Sequence, residues 1–99
     1  MTFRSPKLLK AAKDHRCVRC GADDGTIVAA HYTGVRRGSF GGGMGIKVAD
    51  CVHAALCAAC HSYMDRESRA KATAIEHSEE FLYLCALTMI RLCERGVLK

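Results

Sequence analysis

The sequence predicts one small α+β domain stapled by a metal ion, and three observations carry that expectation. Two C-x-x-C pairs, Cys17/Cys20 and Cys57/Cys60, are set far apart in the chain. Between them lie two short apolar stretches, 26–32 and 47–56, divided by a glycine-rich segment. A short helix signal precedes the first pair, and a long apolar helical pattern follows the second.

A chain of 99 residues makes a single domain, 1–99, with a modest core. With no Trp, three Phe and three Tyr, such a core gains from a structural metal. Seven cysteines, an odd number in paired spacings, favour metal ligation in a reducing cytosol over a disulfide framework. No run approaches the roughly 18 apolar residues of a membrane span. The basic start MTFRSPKLLKAAK lacks the apolar centre of a signal peptide. A cytoplasmic location without a membrane partner is therefore expected. The net charge of +5 is uneven: residues 1–50 carry nine Lys and Arg against four Asp, while 51–99 balance. A half charged in this way suits a polyanion, and nucleic acid is the expected partner; a plainly solvated basic face stays open beside it.

The elements follow in order. Ser5-Pro6 is an N-cap followed by proline at the first helical position, so a short helix runs to about Asp14. Gly21 lets the chain turn after the first pair, and Asp23-Asp24-Gly25 signals a turn. Thr26–Tyr32 reads as a strand containing His31. Residues 33–46, with six glycines, read as a long mobile loop. Lacking G-K-[ST] and a following helix, they do not form a nucleotide-binding P-loop. Arg36, Arg37 and Lys47 are the candidate nucleic-acid contacts there. Lys47–Leu56 reads as a second strand with Val48, Asp50, Val52, Ala54 and Leu56 on one face. Cys57 ends it and a helix follows, on which His61 and Asp65 share a face. The polar stretch 66–76 has helical character. Ser78 reads as the N-cap of a final helix, apolar from Phe81 to Cys93 and closed by Gly96 as C′ residue. That helix is expected to cover the sheet and, through any apolar surface left over, to support a homodimer.

A C-x-x-C turn places two sulfurs close enough to share one ion, and zinc takes four thiolates in a tetrahedron. Cys17, Cys20, Cys57 and Cys60 are the expected structural zinc ligands. A redox dithiol would need a thioredoxin-like βαβ setting that the pattern lacks. Cys51, Cys85 and Cys93 read as core residues.

The segments IVAAHY and LCAACHSYMD, an apolar strand ending in His and a C-x-x-C-H opening a helix, resemble the HNH, or ββα-metal (His-Me finger), endonucleases. With RSPKLLKAA, GGGMGIKVAD and the apolar last helix, most of the chain is similar to the small prophage-encoded nucleases of the YbcO type. The resemblance implies a ββα-metal fold and cleavage of DNA phosphodiester bonds to leave 5′-phosphate ends, in phage or prophage recombination or DNA processing. It also implies that His31 is the general base, a task an imidazole suits. His61, Asp65 and Asp50 would serve a second, catalytic divalent ion such as Mg²⁺, which would neutralise charge at the phosphate. The chain departs from the family at Ala30, where many members carry Asp or His. It also lacks the family's middle Asn, for which Asp50 and His53 are the substitutes at hand. A non-catalytic zinc-knuckle DNA-binding module and a zinc-stabilised interaction subunit are the alternative functions.

Overall fold

The computed structural model describes residues 2–67 and 74–96, a small α+β unit whose four-cysteine cluster fits a zinc site. In chain order come helix α1 (Pro6–Ala11), a 3₁₀ turn (Ala12–Asp14), strand β1 (Val28–His31), a 3₁₀ turn (Arg37–Phe40), strand β2 (His53–Leu56), helix α2 (Ala58–Glu67) and helix α3 (Ala74–Glu94). No helix among the described residues is long and apolar enough to cross a membrane.

The strands form one antiparallel pair with Val28 opposite Leu56 and His31 opposite His53. A lone two-stranded pair is marginal in water, so packing must hold it. The outer edge of β2 is covered from two sides. The Ala55 N–H donates to Thr88 Oγ1 of α3 at 3.1 Å, and the Val18 N–H donates to the Ala55 carbonyl at 2.9 Å. Alternation along β1 turns Ala30 and Tyr32 into the core and His31 to the other face. Tyr32 meets Phe40 and Phe81 edge-on, with ring centroids 5.6 and 5.5 Å apart. Helix α3 lies along β2 and buries Phe81, Leu84, Cys85, Thr88 and Leu92.

The start of α1 and the end of α3 match the sequence signals. Ser5 Oγ accepts from the Leu8 N–H, and Gly96 sits at φ +76° with its N–H on the Cys93 carbonyl. Four expectations need correction. Both strands are shorter than the apolar stretches. Thr26 is taken by Asp24, whose carboxylate accepts from its N–H and hydroxyl, and its Oγ1 in turn caps the Ala58 N–H of α2. Residues 47–52 are a looped segment: the Lys47 and Val48 carbonyls bond to Arg4 and that of Asp50 to His53, and only the Val52 carbonyl reaches across, to the Tyr32 N–H. Ser78 is not an N-cap: it is buried within α3, hydrogen-bonded to the Tyr32 hydroxyl, and the helix already begins at Ala74. The glycine-rich segment holds a 3₁₀ turn and a bridge between Gly43 and Ile46. Among the spare cysteines Cys85 is buried, but Cys51 is half-buried in a loop and Cys93 is exposed. Residues 68–73 of the polar stretch lie outside the described residues.

Candidate metal centre and adjoining cleft

The first C-x-x-C closes into a tight turn because Gly21 adopts φ +80° and donates to the Cys17 carbonyl at 2.9 Å. The second pair straddles the start of α2, where the His61 N–H donates to the Cys57 carbonyl at 2.9 Å. Together they bring the sulfurs of Cys17, Cys20, Cys57 and Cys60 within 4.8 Å of one another. Four thiolates about 2.3 Å from one zinc stand about 3.8 Å apart at tetrahedral corners; Cys20 and Cys57 are separated by 3.7 Å. The donor set and its spacing fit a closed structural zinc.

Burial and neighbouring donors act in opposite directions on the cluster's thiols. Burial opposes the Cys17 thiolate, but donors from Cys57, Cys20 and Arg19 hold it down to about 6. Burial pushes Cys60 up to about 12 despite the Arg19 guanidinium beside it. Four thiolates here need a dication among them. Arg19, between the first two cysteines, donates to Cys60 Sγ at 3.5 Å, bonds Glu80 at 3.3 Å and lies 4.1 Å over the Tyr63 ring. This outer support of a metal ligand is the kind that orients metal sites. In the sequence the one signal for Arg19 is its place inside the knuckle, between Cys17 and Cys20.

The face of β1 opposite the core forms a second feature with α2. A cleft of about 210 Å³ is lined by Ala29, His31 and Thr33 on one side and His61 and Asp65 on the other, with Lys47 at its rim. His61 Nε2 stands 3.4 Å from Asp65 Oδ2, one helical turn on. The structure thus brings His31, His61, Asp65 and Lys47 together. Asp50 is elsewhere engaged. Its buried carboxylate accepts from His31 Nε2 at 2.9 Å, Arg4 Nη1 at 3.1 Å and the Ser5 N–H at 2.6 Å. Burial works against this carboxylate's charge, yet His31, Ser5 and Arg4 hold it down at about 2. Arg4 also donates to the carbonyls of Lys47 and Val48, each at 2.7 Å. Arg4 is the second residue that sequence reasoning missed; nothing in its local sequence distinguishes it from the other basic residues of the N-terminal segment.

His53, opposite His31, is fully buried with Nδ1 on the Asp50 carbonyl at 2.7 Å. Ala30 is buried on the core side, so position 30 offers the cleft no ligand. Among the described residues the four cysteines are the one group of three or more His, Cys, Asp or Glu able to share an ion; His61, Asp65 and Asp50 do not gather into a second. The three basic candidates divide. Arg37 and Lys47 border a cavity of about 510 Å³ that includes His31, whereas Arg36 borders a separate one with Ile75 and Glu79 of α3. Compared with protein-family profiles, curated proteins and solved structures, the chain matches none.

Proposed function

We propose that the chain is a metal-dependent DNA endonuclease of the ββα-metal type, hydrolysing phosphodiester bonds beside a structural zinc. The observation that carries this reading is the convergence of His31 from the hairpin with His61 and Asp65 from the zinc-anchored helix on one cleft. Asp50 accepts from His31 Nε2, which fixes the proton on that nitrogen and leaves Nδ1 with a lone pair to take a proton from water. The same carboxylate, charged at neutral pH, stabilises the imidazolium that results. It is therefore assigned here to orient the base rather than to hold an ion. His61 and Asp65 would hold the catalytic divalent ion, whose chemistry when bound is to neutralise charge on the phosphate and the departing oxygen. Lys47 at the rim attracts the DNA backbone. The zinc, closed by four thiolates, takes no part in the reaction and holds the start of α2 against the hairpin.

The test is plasmid nicking with Mg²⁺ or Mn²⁺, comparing the wild-type chain with His31→Ala. Nicking that falls by at least about 100-fold in the variant supports the assignment. Equal nicking removes His31 as base. Salt-sensitive DNA binding without nicking favours the second reading, a zinc-knuckle DNA-binding module, which draws on the fact that only two candidate ligands, His61 and Asp65, pair in the cleft.

A further inference from the structure

We infer that the larger cavity beside His31 is a subsite for one unstacked nucleotide, so the strand is cut where it is unpaired or opened; this rests on the nuclease reading above. The cavity, about 510 Å³, adjoins the smaller cleft and shares His31, Thr33 and Lys47 with it. Its volume falls in the roughly 300–1,000 Å³ range of small-ligand sites. The charged groups of its lining, Arg37 and Lys47, are both cationic, and no carboxylate is among them. Ile46, Val48, Tyr32 and two glycines make up most of the rest, with His31 and Thr33 on the side shared with the smaller cleft. A cationic rim around an apolar floor matches the phosphate and flat base of a nucleotide. Where the two cavities meet, the Thr33 hydroxyl is buried without a hydrogen-bond partner.

The outer wall is a built feature. Gly43 and Ile46 exchange two backbone hydrogen bonds, each 3.0 Å, around a turn in which Gly45 takes φ +71°. Gly42 packs so tightly below it that a Cβ there would lie 2.9 Å from Val48 Cγ1 and 3.0 Å from the Arg37 carbonyl. This ordered turn raises a fully exposed Met44 and a largely exposed Ile46 at the mouth of a basic cavity. Apolar side chains presented in this way to nucleic acid act as wedges between bases. A base stacked inside a continuous duplex cannot enter a concave site, and a base already unpaired enters at least cost.

The test uses the full zinc-bound chain with Mg²⁺ and Mn²⁺ left out, so that binding is read without cutting. The probes carry 2-aminopurine at one position: a perfect duplex, the same duplex with that base bulged, and the single strand. The bulged and single-stranded probes are expected to bind about ten-fold more tightly than the duplex, with a change in 2-aminopurine fluorescence. Adding Ile46→Glu or Met44→Ala should reduce the preference to within about two-fold, since each would remove a base contact. Both side chains are exposed, so the fold should not respond. Equal binding of all three probes, or a preference that survives Ile46→Glu, overturns the subsite. Preferential binding without cutting of any probe by the wild-type chain upholds the subsite and refutes the nuclease. Cutting of the perfect duplex as fast as the bulge does the reverse.

Discussion

Replacing Asp50 with Asn removes one charge from a buried carboxylate that three donors share, without changing its shape. The carboxyl's drop from an ordinary 3.8 to about 2 measures how much more tightly the folded chain holds the charged form. At about 1.4 kcal/mol per tenfold, that corresponds to ~2 kcal/mol of stability at neutral pH. Arg4 is partly exposed, so solvent weakens its share; His31 and the Ser5 amide supply the larger part. Because the folded value lies below the ordinary one, the stabilisation is complete above about pH 4 and is lost as pH falls towards 2. Urea unfolding of wild type and Asp50→Asn, both zinc-loaded, should differ by ~2 kcal/mol at pH 7. In acid the cysteines are protonated and the zinc leaves both proteins, so the comparison is read at pH 7, where the difference carries the Asp50 contribution. A gap below about 0.5 kcal/mol at pH 7 would refute the reasoning.

Further outcomes can be measured on the same preparation. Metal analysis should find one zinc per chain, and Cys57→Ser should lose both the metal and cooperative unfolding near ambient temperature; a metal-free wild type that unfolds normally would remove the staple. Thr88→Val keeps the side-chain shape but leaves the Ala55 N–H of β2 unpaired. By chemical denaturation it should cost about 1–3 kcal/mol. Gly34→Ala would drive a Cβ to 2.5–2.7 Å from the Tyr32 ring, whose hydroxyl is pinned by Ser78 and the Arg36 N–H. A loss of about 1–3 kcal/mol is expected by the same measurement. Asp50→Asn should also slow nicking by about 100-fold or more at unchanged zinc content, as loss of a base's orienting group does.

The parts of the fold legible in the sequence are those dictated by local chemistry. Ser5 caps α1, Gly21 turns the first knuckle and Gly96 ends α3, because cap and left-handed positions tolerate few residues. The C-x-x-C pairs declared the metal cluster through spacing alone. What escaped depends on partners remote in the chain. Ser78 has a good N-cap side chain, but its hydroxyl goes to Tyr32 on the hairpin. Residues 47–52 carry strand-like alternation, but Arg4 from the N-terminal segment takes the Lys47 and Val48 carbonyls and His53 takes that of Asp50, so pairing with the first strand stops at the Tyr32 N–H to Val52 carbonyl bond. The same remoteness hid the partners of Asp50: a carboxylate near a candidate site reads as a metal ligand until the guanidinium and imidazole that hold it are known.

The two sides of the cleft hang from different supports, and both fix the hairpin's register. At the open end of the hairpin the four cysteines join the segment before β1 to the start of α2, next to the Val28–Leu56 pair. At the loop end Asp50 bonds His31 through its carboxylate and His53 through its carbonyl, while Phe3, Arg4 and Ser5 clasp Asp50 itself. Register matters because side chains alternate along a strand. A slip by one residue would carry His31 into the core and put Ala30 or Tyr32 in the cleft. The apolar strand faces could not prevent this alone, since β1 and β2 supply mostly alanine. A four-cysteine cluster that fits a zinc at one end and a hydrogen-bonded carboxylate at the other hold a weak hairpin in the one alignment that presents His31 to His61 and Asp65.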